Sequence, residues 1–192
     1  GENDDGHRYA DRAEKLGAAV IVAQKEIEAS IPVVYVDDTT KTLSILAQKF
    51  YNYPSRRLKL IGVTGTNGKT TVTFLIKAIL EAAGKKVGLI GTNRCFLGKR
   101  QLDFEASCPT TPDALELAYI FSQMVKENIE YVVMEVSSHA LSQQRVYGLE
   151  FKTAVFTNLT QDHLDFHKTM EEYQKAKSRL FEISQCGVIN ID

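Results

Sequence analysis

The chain has 192 residues, of which 44% are hydrophobic and 24% are charged, the balance of a soluble globular protein. A formal net charge of −1 gives no reason to expect non-specific attraction to nucleic acid or to anionic lipid, so neither is predicted as a partner. The longest apolar run, residues 18–23, is far too short to span a bilayer.

The cysteines bear on the cellular compartment of the protein, and the chain ends bear on whether the sequence is part of a longer one. Cys95, Cys108 and Cys186 are an odd number at wide spacing, which favours free thiols in a reducing cytoplasm. The polar, acidic N-terminus does not resemble a signal peptide. Residues 187–192 are typical of a buried strand with no crossover helix after it, so we expect an excerpt of a longer protein.

Residues 1–57 alternate between short helices and strands. The predicted elements are a helix over 9–16, strands over 18–23 and 33–37, and a helix over 40–50. One face of the last helix carries Leu43, Leu46, Ala47 and Phe50. Pro54 lies in a turn signal and blocks further helix, so we place a domain boundary after residue 57 and a second domain over 58–192.

Residues 58–192 follow a regular strand–helix rhythm. Predicted strands cover 58–64, 87–92, 131–136, 153–158 and 188–191, a hairpin covers 94–105, and helices cover 69–83, 112–125 and 169–181. The first helix carries an apolar stripe of Val72, Leu75, Ile76, Ile79 and Ala83, and the second a stripe of Leu117, Ala118, Phe121, Met124 and Val125. This alternation predicts an α/β fold with a doubly wound, mostly parallel sheet.

The strongest chemical signal is residues 62–71, GVTGTNGKTT, which follow an apolar strand and open an amphipathic helix. Glycines let several backbone N–H groups point at one anion, and the helix N-terminus adds partial positive charge. In such a phosphate loop Lys69 reaches the β- and γ-phosphates and the Thr70 hydroxyl ligates Mg²⁺. Val63 stands where the general motif has glycine, so the loop is a variant. The plain alternative is a glycine-rich turn with an exposed lysine.

Ligands of doubly wound sheets bind beyond the carboxyl ends of the strands, which selects residues 108–112, 134–139 and 157–167. Glu135 fits either a Mg²⁺ ligand or a buried ion-pair partner. Thr110 and Thr111 fit either a ligand contact or a helix cap. His163 lies in a cluster with Asp162, Asp165 and His167, which fits either a metal or phosphate site or a solvated turn. Ser137 lacks a G-x-S-x-G elbow, which argues against a hydrolase nucleophile.

Lys177 falls in the middle of the apolar face of the predicted helix over 169–181. A lysine there must extend to solvent, pair with an acid, or lose its proton. A neutral amine can react with CO₂ to form a carbamate, an anion able to bind a second Mg²⁺. The residues alone leave the carbamate and a plain ion pair open.

Taken together, the segments GTNGKTT, TTPDALEL, MEVSSHAL, FTNLTQDHLDFH and EEYQKAKSRLF resemble the Mur ligase family in order and spacing. They are most similar to members that add the third residue of the stem peptide, and residues 1–23 resemble the UDP-binding domain of those members. The resemblance implies a cytoplasmic bacterial ligase, expected to be a monomer. ATP would phosphorylate the carboxylate of a UDP-N-acetylmuramoyl-dipeptide, and the amine of a diamino acid would displace the phosphate.

The resemblance assigns roles residue by residue. ATP would be bound by Gly65, Thr66, Asn67, Gly68, Lys69, Thr70 and Thr71. The UDP-muramoyl-peptide would contact Thr110, Thr111, Ser137, Gln143 and Arg145, while Pro109 replaces an asparagine contact of some members. Mg²⁺ would be held by Thr70, Glu135, His163 and a CO₂-derived carbamate on Lys177. The catalytic residues would be Lys69, Lys177 and His163. Glu2, Asn3 and Asp4 would lie near the uridine.

Two alternatives remain open at this point. A folylpolyglutamate or cyanophycin synthetase shares the loop, although the former typically has glycine where this chain has Thr70. A non-catalytic Mur-like scaffold would bind partners without turnover, although the retained Lys69 and Lys177 argue against it. Selection between meso-diaminopimelate and lysine is expected to lie in a C-terminal domain outside this chain. We therefore expect the chain alone to bind nucleotide without completing the ligation.

Overall fold

The structure is a computed structural model that describes residues 5–103 and 106–191. The chain divides into two compact units, Gly1–Leu43 and Ser44–Asp192. The division lies inside a helix, ahead of the boundary expected after residue 57. Within the described ranges, no helix has the length and apolar character needed to cross a membrane. Glu2, Asn3 and Asp4, expected near the uridine, lie outside the described residues.

The first unit is a small α/β layer. Its elements are a 3-10 helix Gly6–Tyr9, α1 Ala10–Lys15, β1 Ile21–Ala23, β2 Val33–Tyr35 and the start of α2 Thr39–Phe50. The two strands pair in parallel, with Ile21 opposite Val33. Both are shorter than predicted, and of β1 only Ala23 is buried.

Helix α2 buries a different face from the one that its apolar residues predict. Of the predicted stripe only Ala47 is buried, and Phe50 is 78% exposed. Ser44 and Gln48 are buried instead because each has a hydrogen-bond partner. The Ser44 hydroxyl donates to the Gln144 carbonyl oxygen at 3.0 Å, and Gln48 Oε1 accepts from the Ser55 hydroxyl at 2.7 Å.

The second unit carries the larger sheet. Its strands are β3 Lys59–Thr64, β4 Val87–Gly91, β5 Arg94–Leu97, β6 Arg100–Gln101, β7 Tyr131–Glu135, β8 Phe151–Phe156 and β9 Gly187–Ile189. Its helices are a 3-10 helix Pro54–Arg57, α3 Lys69–Ala82, α4 Ala114–Lys126, α5 Ser138–Ser142, α6 Leu164–His167 and α7 Met170–Glu182.

The seven strands form one sheet in the order β6-β5-β4-β7-β3-β8-β9. Strands β4, β7, β3, β8 and β9 are parallel, and β5 is antiparallel to both of its neighbours. The predicted mostly parallel sheet and the predicted hairpin are therefore confirmed. Strand β3 lies between β7 and β8, so the loop after β3 is flanked by the ends of two other strands.

Apolar layers cover both faces of this sheet, which confirms the doubly wound architecture. One layer packs Val72, Ile76 and Leu80 of α3 against valines of β3, β4 and β7. The other contains α4 residues such as Phe121 and Met124, together with Leu180 of α7. A fully buried side chain of this size contributes about 1.5–3 kcal/mol, so these two layers supply most of the stability that holds the strand ends in place.

The helix ends and stripes match the predictions in part. Helix α4 begins after Asp113, whose side chain forms a reciprocal capping box with Glu116, so the cap is not Thr110 or Thr111. In α3 the predicted stripe was wrong in part, because Leu75, Ile79 and Ala83 are exposed whereas Thr73 and Lys77 are buried. The α4 stripe is confirmed, with four of its members buried and Val125 packed at its edge.

Candidate functional site

The phosphate loop connects the central strand β3 to α3, and two of its glycines are required by geometry. Gly65 has a φ of +139°, and a Cβ there would meet the Thr157 hydroxyl oxygen at 2.0 Å. Gly68 has a φ of +83° and forms the N-cap of α3. An N-cap glycine in this conformation leaves the first N–H groups of α3 facing outward without intrahelical partners. This is the arrangement that binds a phosphate.

Two lysines meet at the loop. Lys69 Nζ donates to the carbonyl oxygens of Gly65 and Thr66 at 2.9 and 2.8 Å, and Lys177 Nζ donates to the same Gly65 oxygen at 2.9 Å. Burial lowers the pKa of Lys69, whereas Glu135 and Asp162 oppose that effect. The side chain of Lys69 is therefore held over the loop, and an arriving triphosphate would draw it away from these two carbonyls.

Lys177 is buried without an acidic partner among the described residues. It is 2% exposed, and its Nζ lies 4.3 Å from the centre of the Tyr173 ring. Burial, reinforced by the charge of Lys69, lowers the pKa of Lys177 to about 7. The plain ion-pair interpretation is thus wrong for the structure as it stands. A lowered pKa favours the neutral amine, which is the nucleophile that adds to CO₂ when a carbamate forms.

Glu135 is the carboxylate that best fits a Mg²⁺ ligand. It is 1% exposed, and its Oε1 accepts from the Thr70 hydroxyl at 2.9 Å and from the Thr92 N–H at 3.1 Å. Within the described ranges, no basic side chain forms an ion pair with it. A buried carboxylate beside a hydroxyl, without a protein counter-ion, suits a hard cation.

His163 is not part of the hydrogen-bond network that joins Glu135 to Thr70 and Thr92. It has a φ of +52° at the start of α6, and its ring packs edge-on against His139 with centroids 4.8 Å apart. No group of three or more His, Cys, Asp or Glu residues that could hold a metal occurs in the described part of the chain. Any metal here would therefore need phosphate, water or carbamate oxygens in addition to the protein ligands.

The five predicted muramoyl-peptide contacts come together around the end of β7. The Thr111 hydroxyl accepts from the Ser137 N–H at 3.1 Å and donates to the Glu135 carbonyl oxygen at 3.0 Å. The Arg145 guanidinium donates to the Thr111 carbonyl oxygen at 2.8 Å and to Gln143 Oε1 at 2.5 Å. Thr110 contacts the Thr92 hydroxyl at 3.3 Å. The set is therefore one continuous network adjoining Glu135.

A cavity of about 490 Å³ has Ile90, Asn93, Cys95 and Pro109 in its lining. Burial raises the pKa of the Cys95 thiol to about 12, which keeps this cysteine protonated. The first unit has a separate cavity of about 700 Å³, lined by residues that include His7, Gln24 and Asp38.

Several residues at the site were not singled out from the sequence. Thr92 donates to Glu135 through both its N–H and its hydroxyl, and the Tyr173 hydroxyl lies 3.3 Å from that of Thr66. Thr157, Asn158 and Thr160 bond the phosphate loop. The last three belong to a strand-end segment that the sequence did select, but nothing in the sequence showed which side chains turn toward the loop.

A glycine-rich loop on the central strand of a doubly wound sheet, with a lysine and a hydroxyl-bearing residue after it, defines a P-loop nucleotide-binding domain. The family model of the Mur ligase middle domain matches residues 63–192. The chain belongs to the Mur ligase family.

Individual relatives agree with this placement. The chain is 52% identical to the UDP-N-acetylmuramoyl-L-alanyl-D-glutamate--2,6-diaminopimelate ligase of Clostridium botulinum, over 98% of this chain and 39% of that protein. A solved structure of a ligase with the same name is 29% identical, with a TM-score of 0.82 over 97% of this chain and 38% of that one. The chain thus spans about two fifths of the length of such relatives.

A third comparison bears on the fold alone. The MurF ligase from Thermotoga maritima in complex with ADP is 22% identical, with a TM-score of 0.60, and the match covers 100% of this chain and 41% of that one. A nucleotide is therefore bound by a relative that shares this architecture.

Proposed function

We propose that the complete protein is an ATP-dependent amide ligase of peptidoglycan precursor synthesis. It would join a diamino acid to UDP-N-acetylmuramoyl-L-alanyl-D-glutamate, and the names of relatives at about half identity favour 2,6-diaminopimelate as that amine. The proposal rests on the arrangement of side chains at the edge of the sheet where the parallel strands end. There the phosphate loop after β3 lies beside the Glu135–Thr111–Arg145 network after β7.

The reaction has two balanced steps. A substrate carboxylate oxygen attacks the γ-phosphorus of ATP, which forms an acyl phosphate and breaks the bond to ADP. The amine then attacks the acyl carbon, and phosphate leaves as the amine loses a proton. Both substrates of the first step are anions, so positioning and charge neutralisation supply most of the rate enhancement.

The chain's own groups divide this task. The N–H groups at the start of α3 and the Lys69 ammonium bind the β- and γ-phosphates, and Lys69 exchanges its two loop carbonyls for phosphate oxygens. Arg145, with Thr111 and Ser137, orients the peptide carboxylate toward the loop. Glu135 and Thr70, with His163 and the carbamate form of Lys177, would hold Mg²⁺. When bound, Mg²⁺ would neutralise charge on the transferring phosphoryl group.

The first unit would bind the UDP end of the substrate, and its cavity beside His7 and Asp38 supports that role. A cytoplasmic location is part of the same proposal because Cys95, Cys108 and Cys186 are all free thiols.

The test is ADP release by the complete protein from its natural reading frame. We expect release that requires both UDP-N-acetylmuramoyl-L-alanyl-D-glutamate and a diamino acid, with diaminopimelate preferred over lysine. Release with folate and glutamate instead would indicate a folylpolyglutamate synthetase. Binding of the UDP-peptide without any ADP release would indicate a non-catalytic scaffold. Either result would contradict the proposal.

A further inference from the structure

Three residues of the segment that follows β8, Thr157, Asn158 and Thr160, are hydrogen-bonded to the phosphate loop. We call residues 157–160 the loop clamp. The Thr66 N–H donates to the Asn158 carbonyl oxygen at 2.9 Å, and the Thr157 hydroxyl donates to the Asn67 carbonyl oxygen at 2.6 Å. Thr66 and Thr160 bond reciprocally, since the Thr160 N–H donates to the Thr66 hydroxyl at 3.0 Å and that hydroxyl lies 3.1 Å from the Thr160 carbonyl oxygen.

Asn158 is the side chain that bonds one loop residue from both sides. Its Oδ1 accepts from the Asn67 N–H at 3.0 Å, and its Nδ2 donates to the Asn67 carbonyl oxygen at 3.1 Å. A carboxamide carries an acceptor and a donor on one planar group, so it can bond both polar groups of one residue. Aspartate retains only the acceptor, and leucine retains neither.

These bonds decide which loop amides are available to a ligand. The N–H groups of Thr66 and Asn67 are already engaged with Asn158. Thr66 and Asn67 would therefore take part in ATP binding other than through their own N–H groups. The amides that remain are those at the start of α3, where the first N–H groups of a helix lack intrahelical partners.

We propose that Asn158 is a positioning residue that holds the phosphate loop in its anion-binding shape before the nucleotide arrives. This inference rests on the proposed ligase function and extends it. A loop that is ordered in advance loses less conformational entropy on binding. Without the Asn158 side chain the Asn67 N–H would lose its partner and the Asn67 carbonyl oxygen would be held by the Thr157 hydroxyl alone, so ATP would have to order more of the loop.

The clamp also joins two parts of the site along the chain. It precedes Asp162 and His163 by a few residues, and Thr66 is bonded both to the clamp and to Tyr173 of α7. Fixing the loop therefore also fixes the start of the segment that carries His163. Because the direct bonds of the clamp go to the phosphate loop, weakening the clamp should affect nucleotide binding more than any other step.

The test compares Asn158→Leu and Asn158→Asp in the complete protein with Asn190→Leu as the matched control. The Asn190 amide donates to the Thr157 carbonyl oxygen at 3.1 Å, so it is a second carboxamide side chain bonded to the clamp. We expect Asn158→Leu to raise the KM for ATP about tenfold or more, because two bonds to the loop are lost. Asn158→Asp should raise it as well, and the KM for the UDP-peptide should stay within about twofold in both variants.

Binding of ADP, followed by calorimetry, and the melting temperature complete the test. An unchanged KM for ATP in Asn158→Leu, or a change no larger than in Asn190→Leu, would overturn the inference. A parallel loss of ATP and UDP-peptide affinity with a lowered melting temperature would assign a purely structural role and would overturn it too. Absence of ADP release in the unmodified protein would instead contradict the proposed function, so the two failures are distinguishable.

Discussion

Lys69 and Lys177 donate hydrogen bonds to the same acceptor, the carbonyl oxygen of Gly65, each at 2.9 Å. Two ammonium groups at one oxygen repel each other, and this repulsion adds to burial in lowering the pKa of Lys177 to about 7. Conversion of Lys177 to a carbamate would replace the repulsion by attraction. The carbamate nitrogen still carries one N–H, so the bond to Gly65 can persist.

Lys177→Ala is expected to abolish ligation by the complete protein, because the negative charge that a carbamate would supply is lost. Acetate or another short carboxylic acid is expected to restore part of the activity by occupying the vacated space. The measurement is phosphate or ADP release with increasing acetate. Lys175→Ala, an exposed position on the same helix, is the control and should retain activity. Full activity of Lys177→Ala in bicarbonate-free buffer would contradict the carbamate role.

Lys177 should also make stability depend on pH. Its pKa falls from 10.5 to about 7 on folding, so between these values the unfolded chain binds more protons and stability rises with pH. The cost of burying the lysine is therefore greatest below pH 7. Lys177→Met should raise the melting temperature by several degrees at about pH 6, and the gain should shrink toward about pH 10.

Bicarbonate-free buffer is needed for that comparison, because carbamate formation would change the charge being measured. Lys175→Met controls for the added apolar side chain. A gain in melting temperature that stays constant across the pH range would show that Lys177 keeps its ordinary pKa in the folded chain.

Lys69→Ala is expected to lower ADP release by about 100-fold or more, because the cation that contacts the transferring phosphoryl group is lost. Lys86→Ala, an exposed lysine before β4, should leave turnover unchanged. Steady-state kinetics with ATP as the varied substrate measure both. Unchanged ADP release from Lys69→Ala would show that the loop does not bind the reacting phosphates.

Substitutions of Thr110 and Thr111 should differ in their effect on the free energy of unfolding. Thr111 is fully buried and bonded to Ser137 and Glu135, so Thr111→Val should cost about 1–3 kcal/mol of unfolding free energy. Thr110→Val, at a half-buried position, should leave stability nearly unchanged. Both variants should raise the KM for the UDP-peptide. Urea unfolding and substrate titration measure the two effects, and equal stability of the two variants would contradict the hydrogen-bond network described above.

Gly91 at the end of β4 offers a probe of the metal site. A Cβ there would lie 2.4 Å from Glu135 Oε1, and the carboxylate is held by Thr70 and Thr92. Gly91→Ala should therefore displace Glu135 and raise the Mg²⁺ concentration required for half-maximal activity about tenfold. Gly88 lies on the same strand as Gly91, and a Cβ there would crowd Met124 of α4. Gly88→Ala should therefore lower stability without changing the Mg²⁺ requirement. The same Mg²⁺ requirement in both variants would argue against Glu135 as a ligand.

Much of the fold was predictable because strand and helix periods differ and because glycine, proline and capping residues mark the boundaries. The sheet, the hairpin and the buried position of Lys177 followed from such patterns. The buried face of α2 did not, since Ser44 and Gln48 are buried by hydrogen bonds to Gln144 and Ser55. Hydrophobicity carries no information about such partners.

The candidate site was predictable to a similar degree. The loop, Glu135 and Thr111 follow from motif and strand-end position, whereas Arg145 was implied only by the family resemblance. The structure brings all of them together at one edge. The contacts of Thr92 and Asn158 do not follow from their own segments. Each contact depends on which strands become neighbours, and the strand order is visible in the assembled sheet but not in the sequence.

The pairing of β3 with its two neighbours has a consequence for misfolding. Val63 lies opposite Glu135 on one side, and Thr64 lies opposite Phe156 on the other. A slip of one residue in either pairing would send alternate side chains to the opposite face of the sheet. A molecule with such a slip could keep its helices and much of its apolar burial and yet present neither Glu135 nor Asn158 to the loop. Circular dichroism would not reveal this inactive population, whereas counting nucleotide sites per chain would.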